Sequence, residues 1–173
     1  MLFRSRERFS QMDLNKDGFV TSTEWQLMAE MFAKAGNAVL AIRPGGKGDI
    51  TSTHLAWKAT RSLPYVSSPV YYQGRLYTVK NGGLASCYEA KTGKPLYQDE
   101  RLDAGGDYYA SLIAAGGRIY AASQQGVVTV WEAGDQLKIL ARNDVGEQVM
   151  ATPAAVGNAL YVRTAGHLYE FGQ

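Results

Sequence analysis

Cysteine is almost absent from this chain. Cys87 stands alone among 173 residues, so no intrachain disulfide and no Cys-based metal cluster can form. Long apolar runs are missing as well: none approaches the ~18–20 residues that a helix needs to span a bilayer. The opening residues, MLFRSRERFSQ, lack the apolar core of a signal peptide. There is no excess of one charge either. With 18 basic and 16 acidic residues the net charge is +2, which leaves no electrostatic case for nucleic acid or for an anionic membrane surface.

What is present suits a β-rich globular protein. Hydrophobic residues make up 46 % and charged residues 20 %, the proportions of a folded domain. The 11 Tyr and 19 Gly favour strands and the turns between them.

One short stretch near the start carries specific chemistry. DLNKDGFVTSTE, residues 13–24, fits the spacing D-x-[DN]-x-[DN]-G-x5-E without a gap. Calcium is a hard cation that takes about 6–8 oxygen ligands at roughly 2.3–2.6 Å. Side-chain oxygens of Asp13, Asn15 and Asp17 would converge on it, with the carbonyl of Phe19. Thr21 would act directly or through a water, and Glu24 would close the site with both oxygens. Gly18 supplies the sharp turn. The alternative is an Asx-rich turn between helices.

The flanks read as helices. Leu2, Phe9 and Met12 share one face before the loop; Met28, Met31, Phe32 and Ala35 follow helical spacing after it, and Gly36 marks the stop. Residues 1–36 are therefore expected to form helix, loop and helix, an EF-hand in layout. Only one hand is visible, and Val20, which would pair two hands, has no counterpart.

Beyond Gly36 the period becomes that of strands, and the sequence repeats itself. SSPVYYQGRLYTVKNGGLASCYEA (67–90) is echoed by ASLIAAGGRIYAASQQGVVTVWEA (110–133) and again by ATPAAVGNALYVRTAGHLYEFGQ (151–173). Tyr77, Tyr120 and Tyr161 are separated by 43 and 41 residues, and Gly83, Gly126 and Gly166 by 43 and 40. A period near ~42 with about four short strands per unit is that of propeller blades. The expected fold class is mainly β: a partial β-propeller of four-stranded antiparallel blades with an inserted helix-loop-helix. The expected divisions of residues 37–173 are a partial blade at 37–61, blades at 65–103 and 108–145, and a three-stranded last blade at 150–173. In the first, VLAIRPGG and HLAWKAT read as third and fourth strands, with the helix-loop-helix standing where the first two belong. Propellers close with about 4–8 blades. The expectation is that the ring is completed by blades upstream or by another chain.

The segments GRLYTVKNGGLASCYEAKTGKPLY (74–97) and GRIYAASQQGVVTVWEAG (117–134) resemble the pyrroloquinoline-quinone-like (PQQ-like) propeller repeats, with Tyr97 where that family usually places Trp. The resemblance covers roughly residues 38–173, and the whole chain is similar to the C-terminal portion of bacterial propellers carrying an inserted EF-hand. It implies a periplasmic or secreted protein, in which calcium would fill the hand permanently and act structurally. The quinoprotein dehydrogenases of that superfamily use an adjacent Cys pair, which this chain lacks, and regular Trp docking motifs are missing although Trp57 and Trp131 lie in strands. PQQ is therefore not expected as a cofactor.

Other groupings are weaker. Asp99, Glu100, Asp103 and Asp107 could supply an acid–base pair, but a solvated connecting loop explains them more simply. His54 and His167 read as surface or hydrogen-bonded structural residues, and Cys87 as a small core hydrophobe. RSRER, residues 4–8, reads as the solvated face of a helix. Tyr65, Tyr108 and Tyr109 precede innermost strands, so they would either offer an aromatic ligand face at the central channel or pack between blades. The expected function is a calcium-binding propeller segment for recognition or scaffolding. The alternative is part of a quinoprotein-like oxidoreductase, or another enzyme, whose active site lies at the channel and mostly in missing blades.

Overall fold

The computed structural model describes residues 9, 12–34 and 36–172, with residues 31–34 in backbone only. Leu2, Ala35 and residues 4–8 lie outside the described residues, as do the side chains of Met31 and Phe32. The chain divides into two compact units, Met1–Asn37 and Ala38–Gln173.

In the first unit the described helix is α1, Ser22–Lys34. Its start is a capping box. The Thr21 hydroxyl accepts the Glu24 N–H at 3.3 Å, and the Glu24 carboxylate accepts the Thr21 N–H at 2.9 Å. Two backbone donors that the helix itself leaves free are satisfied reciprocally.

Among the described residues, the second unit is built from 13 strands in four antiparallel sheets, which we number as blades. Blade I pairs β1 (Val39–Ile42) with β2 (Leu55–Ala59). Blade II contains β3 (Val70–Tyr72), β4 (Arg75–Lys80), β5 (Leu84–Glu89) and β6 (Pro95–Arg101) in spatial order. Blade III repeats this with β7 (Ile113–Ala115), β8 (Arg118–Ala122), β9 (Val127–Glu132) and β10 (Ile139–Asp144). Blade IV contains β11 (Ala154–Val156), β12 (Ala159–Arg163) and β13 (Leu168–Phe171). This is the mainly β, four-stranded-blade architecture that the ~42-residue period predicts. The first strands of successive blades, β3, β7 and β11, neighbour one another, as the innermost strands of a propeller do.

Alternation along the strands makes the core. Tyr77 and Val79 of β4, with Ala85 and Cys87 of β5, meet Ile119, Ala121 and Trp131 of blade III in one buried cluster. A smaller cluster between blades III and IV gathers Ala110, Ala122, Val128, Val149 and Val162. Period-two patterning sends one set of side chains to each neighbouring blade, so both faces of a middle blade are apolar.

Two devices recur at the blade seams. Trp57 of β2 donates its indole N–H to the Ala90 carbonyl at 2.9 Å and stacks on Tyr88, with ring centroids 6.2 Å apart. Tyr97, at the matching place in blade II, accepts the Trp131 indole N–H at 3.2 Å. Regular Trp docking motifs are missing from the sequence, yet Trp57 docks onto the AKTGK turn, and a tyrosine stands at the next seam. In blade III the residue opposite Val130, as Tyr97 is opposite Cys87, is Ala141, which is half-buried. The second device is a close backbone approach. A Cβ on Gly83 would lie 2.3 Å from the Ala104 carbonyl oxygen, and one on Gly126 would lie 2.3 Å from that of Glu147. Both have positive φ, so glycine is required twice over. Gly166, the third copy by sequence, has neither feature: its nearest neighbour is a Glu147 side-chain oxygen at 3.1 Å.

Candidate functional site

The loop at residues 13–24 folds around its own side-chain oxygens. Asp13 is buried; its Oδ1 accepts the Asp17 N–H at 3.1 Å and its Oδ2 accepts the Gly18 N–H at 2.9 Å. Asn15 Oδ1 accepts the Asp17 N–H, and Asp17 Oδ1 accepts the Phe19 N–H. These are Asx turns, the local geometry that such residues favour. Gly18 sits at φ +88°, a conformation costly for other residues. Glu24 is also buried. Its Oε1 reaches back to the Leu14 and Asn15 N–H groups, and its Oε2 accepts the Thr21 N–H and hydroxyl. The Thr21 backbone bond, then the Thr21 hydroxyl, hold the Glu24 carboxyl below its ordinary range.

Asp13, Asn15, Asp17, Thr21 and Glu24 are therefore linked through one hydrogen-bonded loop. The Phe19 side chain points to solvent, 74 % exposed, as suits a position that would supply only its carbonyl. The donor set is oxygen throughout, and Glu24 bridges the start of the loop to the first turn of α1. Among the described residues no three His, Cys, Asp or Glu side chains converge as a metal set, because these carboxylates face backbone amides. A hard cation fits the chemistry of the donors, and binding would exchange amide contacts for metal contacts.

The tyrosines do not form one face. Tyr65 is exposed and Tyr109 half-buried, but Tyr108 is buried, with its hydroxyl donating to the Ala104 carbonyl at 2.7 Å. Burial pushes that phenol up to about 12. Tyr108 thus packs between blades and is not a channel-face residue. A hydroxyl ladder runs beside it instead: the Ser68 N–H donates to Ser111 Oγ at 2.9 Å, and the Ser111 N–H donates to Thr152 Oγ1 at 3.0 Å. Equivalent residues of three blades are tied across their seams.

Two residues of the acidic stretch are engaged across strands. Asp99 pairs with Lys80 at 3.0 Å and Asp103 with Arg142 at 2.8 Å. His54 Nδ1 contacts the Thr53 hydroxyl. His167 meets Glu147, whose other oxygen takes the Thr164 hydroxyl and the Gly166 N–H. This knot joins residues 17–20 apart, and nothing in their local spacing announces it.

No family model and no curated protein matches the chain. Among solved structures it is similar to BamB from Moraxella catarrhalis, at 17 % identity and a TM-score of 0.52. That alignment covers 70 % of this chain and 35 % of BamB, so the chain spans about a third of its length. The computationally designed Ika4 protein aligns at 16 % identity and a TM-score of 0.57, over 79 % of this chain and 85 % of that one. The designed Ika8 protein gives 16 % identity, a TM-score of 0.56, and coverage of 69 % and 37 %. At such identities the likeness carries the fold alone, and with the repeated four-stranded sheets it makes this chain a run of β-propeller blades.

Proposed function

We propose that the chain is a calcium-binding segment of a PQQ-like β-propeller, that its role is recognition or scaffolding, and that calcium is structural. The observation that carries the reading is the loop at residues 13–24. It offers three carboxylates, an amide and a hydroxyl at calcium spacing, with Gly18 at positive φ and buried Asp13 and Glu24. A bound divalent cation would neutralise those carboxylates and tie the loop to α1. Asp13, Asn15 and Asp17 would hold it from one side and Glu24 from the other, with the Phe19 carbonyl and Thr21 completing the set. Like charges held this close repel without a counter-ion, which ties loop order to occupancy.

The propeller context makes the calcium a brace for one module. Resemblance to extracytoplasmic bacterial propellers favours a periplasmic or secreted setting, with the ring completed by further blades or another chain. Trp25 follows Glu24 directly and is 48 % exposed, so its emission reports on the loop. Calcium titration of the whole chain is expected to shift that emission and to release or absorb heat in calorimetry, and Glu24→Gln to remove both signals. A flat response in both measurements would sink the reading.

A further inference from the structure

The hairpin between β1 and β2 carries RPGGKGDITSTH, residues 43–54, and its middle leaves its own amides unused. The N–H groups of Gly45, Gly46, Lys47 and Gly48 have no acceptor among the described residues. Gly45, Gly46 and Gly48 have φ of +99°, +81° and +70°, which puts three of four consecutive residues in left-handed backbone. Successive N–H groups in such turns form the concavities, or nests, that bind anions. The loop around them is held. The Arg43 N–H donates to the His54 carbonyl at 2.8 Å, and the Ile50 carbonyl accepts the N–H groups of Thr53 and His54 at 3.1 and 2.9 Å. Gly46 is pressed onto this base: a Cβ there would lie 2.7 Å from the Ile50 side chain and 2.8 Å from the His54 ring.

The charges point the same way. Arg43 and Lys47 are exposed, and no ion pair among the described residues includes either. The acid of the loop, Asp49, is engaged by its own backbone, accepting the Thr51 N–H at 2.9 Å. The next blade adds two more cations. Trp57 of β2 lies against the AKTGK turn, where a Cβ on Gly93 would come within 2.5 Å of the indole. That turn carries Lys91 and Lys94, which are exposed and equally outside the ion pairs, while Glu89 beside them takes the Thr92 hydroxyl at 2.6 Å. In a chain of net charge +2, cations without acids on two neighbouring turns concentrate positive potential at one place. A phosphate group suits such a place, with a charge of about −1.5 to −2 at neutral pH and three strong acceptor oxygens.

We propose that residues 43–49 form a binding site for a phosphate group. The amides of Gly45, Gly46, Lys47 and Gly48 donate to its oxygens, and Arg43 and Lys47 balance its charge. Lys91 and Lys94 draw the anion in without contacting it. The proposal stands on this hairpin and is independent of calcium at residues 13–24.

The probes are inorganic phosphate and glycerol phosphate, titrated into the whole chain by calorimetry at fixed ionic strength with calcium chelated. Saturable one-to-one binding of at least one probe is expected. Tighter binding of inorganic phosphate assigns the site to the free ion, and tighter binding of glycerol phosphate assigns it to a phosphate ester. Lys47→Gln, an exposed change, should weaken binding by about threefold or more. Gly48→Ala, whose Cβ meets nothing within 4 Å but whose φ is unsuited to alanine, should weaken it through the amides alone. Lys138→Gln removes the same charge from a turn of blade III and should leave binding unchanged. Absence of saturation with both probes overturns the proposal. So does an equal loss in Lys47→Gln and Lys138→Gln, which would reduce the effect to overall charge.

Discussion

Cys87 illustrates how far burial alone sets the chemistry of a side chain. Its thiol is fully inaccessible among the residues of the seam between blades II and III, and that burial raises its pKa to about 12. In the native protein at pH 8 a thiol-specific disulfide reagent should find nothing to react with, whereas the denatured chain should release one equivalent. Prompt labelling of the native form would show that the seam opens. Glu147 is the opposite case, a carboxylate held charged. The Thr164 hydroxyl, then the Gly166 N–H and His167, lower it to about 2. A depressed folded pKa stabilises the protein above the unfolded value of 4.5, and that contribution fades as pH falls from there towards 2. Denaturant midpoints of wild type and Glu147→Gln should therefore differ at neutral pH and converge in acid. A constant gap across that window would remove Glu147 from the account.

At the scale of elements, the seams matter more than the strands. The Tyr97 hydroxyl is the partner of the buried Trp131 indole N–H. Tyr97→Phe keeps the ring and strands the donor, so it should cost about 1–3 kcal/mol in equilibrium unfolding. A neutral result would mean that water replaces the hydroxyl. The glycines provide a sharper contrast because the sequence aligns them. Gly126→Ala would drive a Cβ to 2.3 Å from the Glu147 carbonyl oxygen at positive φ, with backbone on both sides of the clash. Gly166→Ala meets the movable end of the Glu147 side chain at 3.1 Å. Thermal unfolding should show a large loss for the first and a small one for the second. Equal losses would mean that the third turn is as constrained as the other two.

At the scale of the molecule, the repeat makes the seams. Blades II and III bury both faces, while blade IV carries an exposed Phe171 beside a hollow. The second unit is thus well packed in its middle, while β13 has no further strand partner among the described residues. Of the two placements open to the tyrosines, Tyr108 takes the packed one, and Tyr65 is exposed. Aromatic residues before an innermost strand were legible as important, but their spacing does not say which way each ring turns. That is decided by the blade behind it, here through Ala104 and Asn81.

The sequence by itself determined the blades and marked the Asx-rich loop at residues 13–24. Both are local or periodic: strands alternate with period two, units recur near ~42 residues, and five loop positions lie within twelve. Tertiary structure alone decided the rest. Trp57 over Ala90, Tyr97 beneath Trp131, the Glu147–Thr164–His167 knot and the hollow beside Phe171 each join residues from different strands or blades. No spacing rule relates such residues, because their distance is set by how twisted sheets pack face to face.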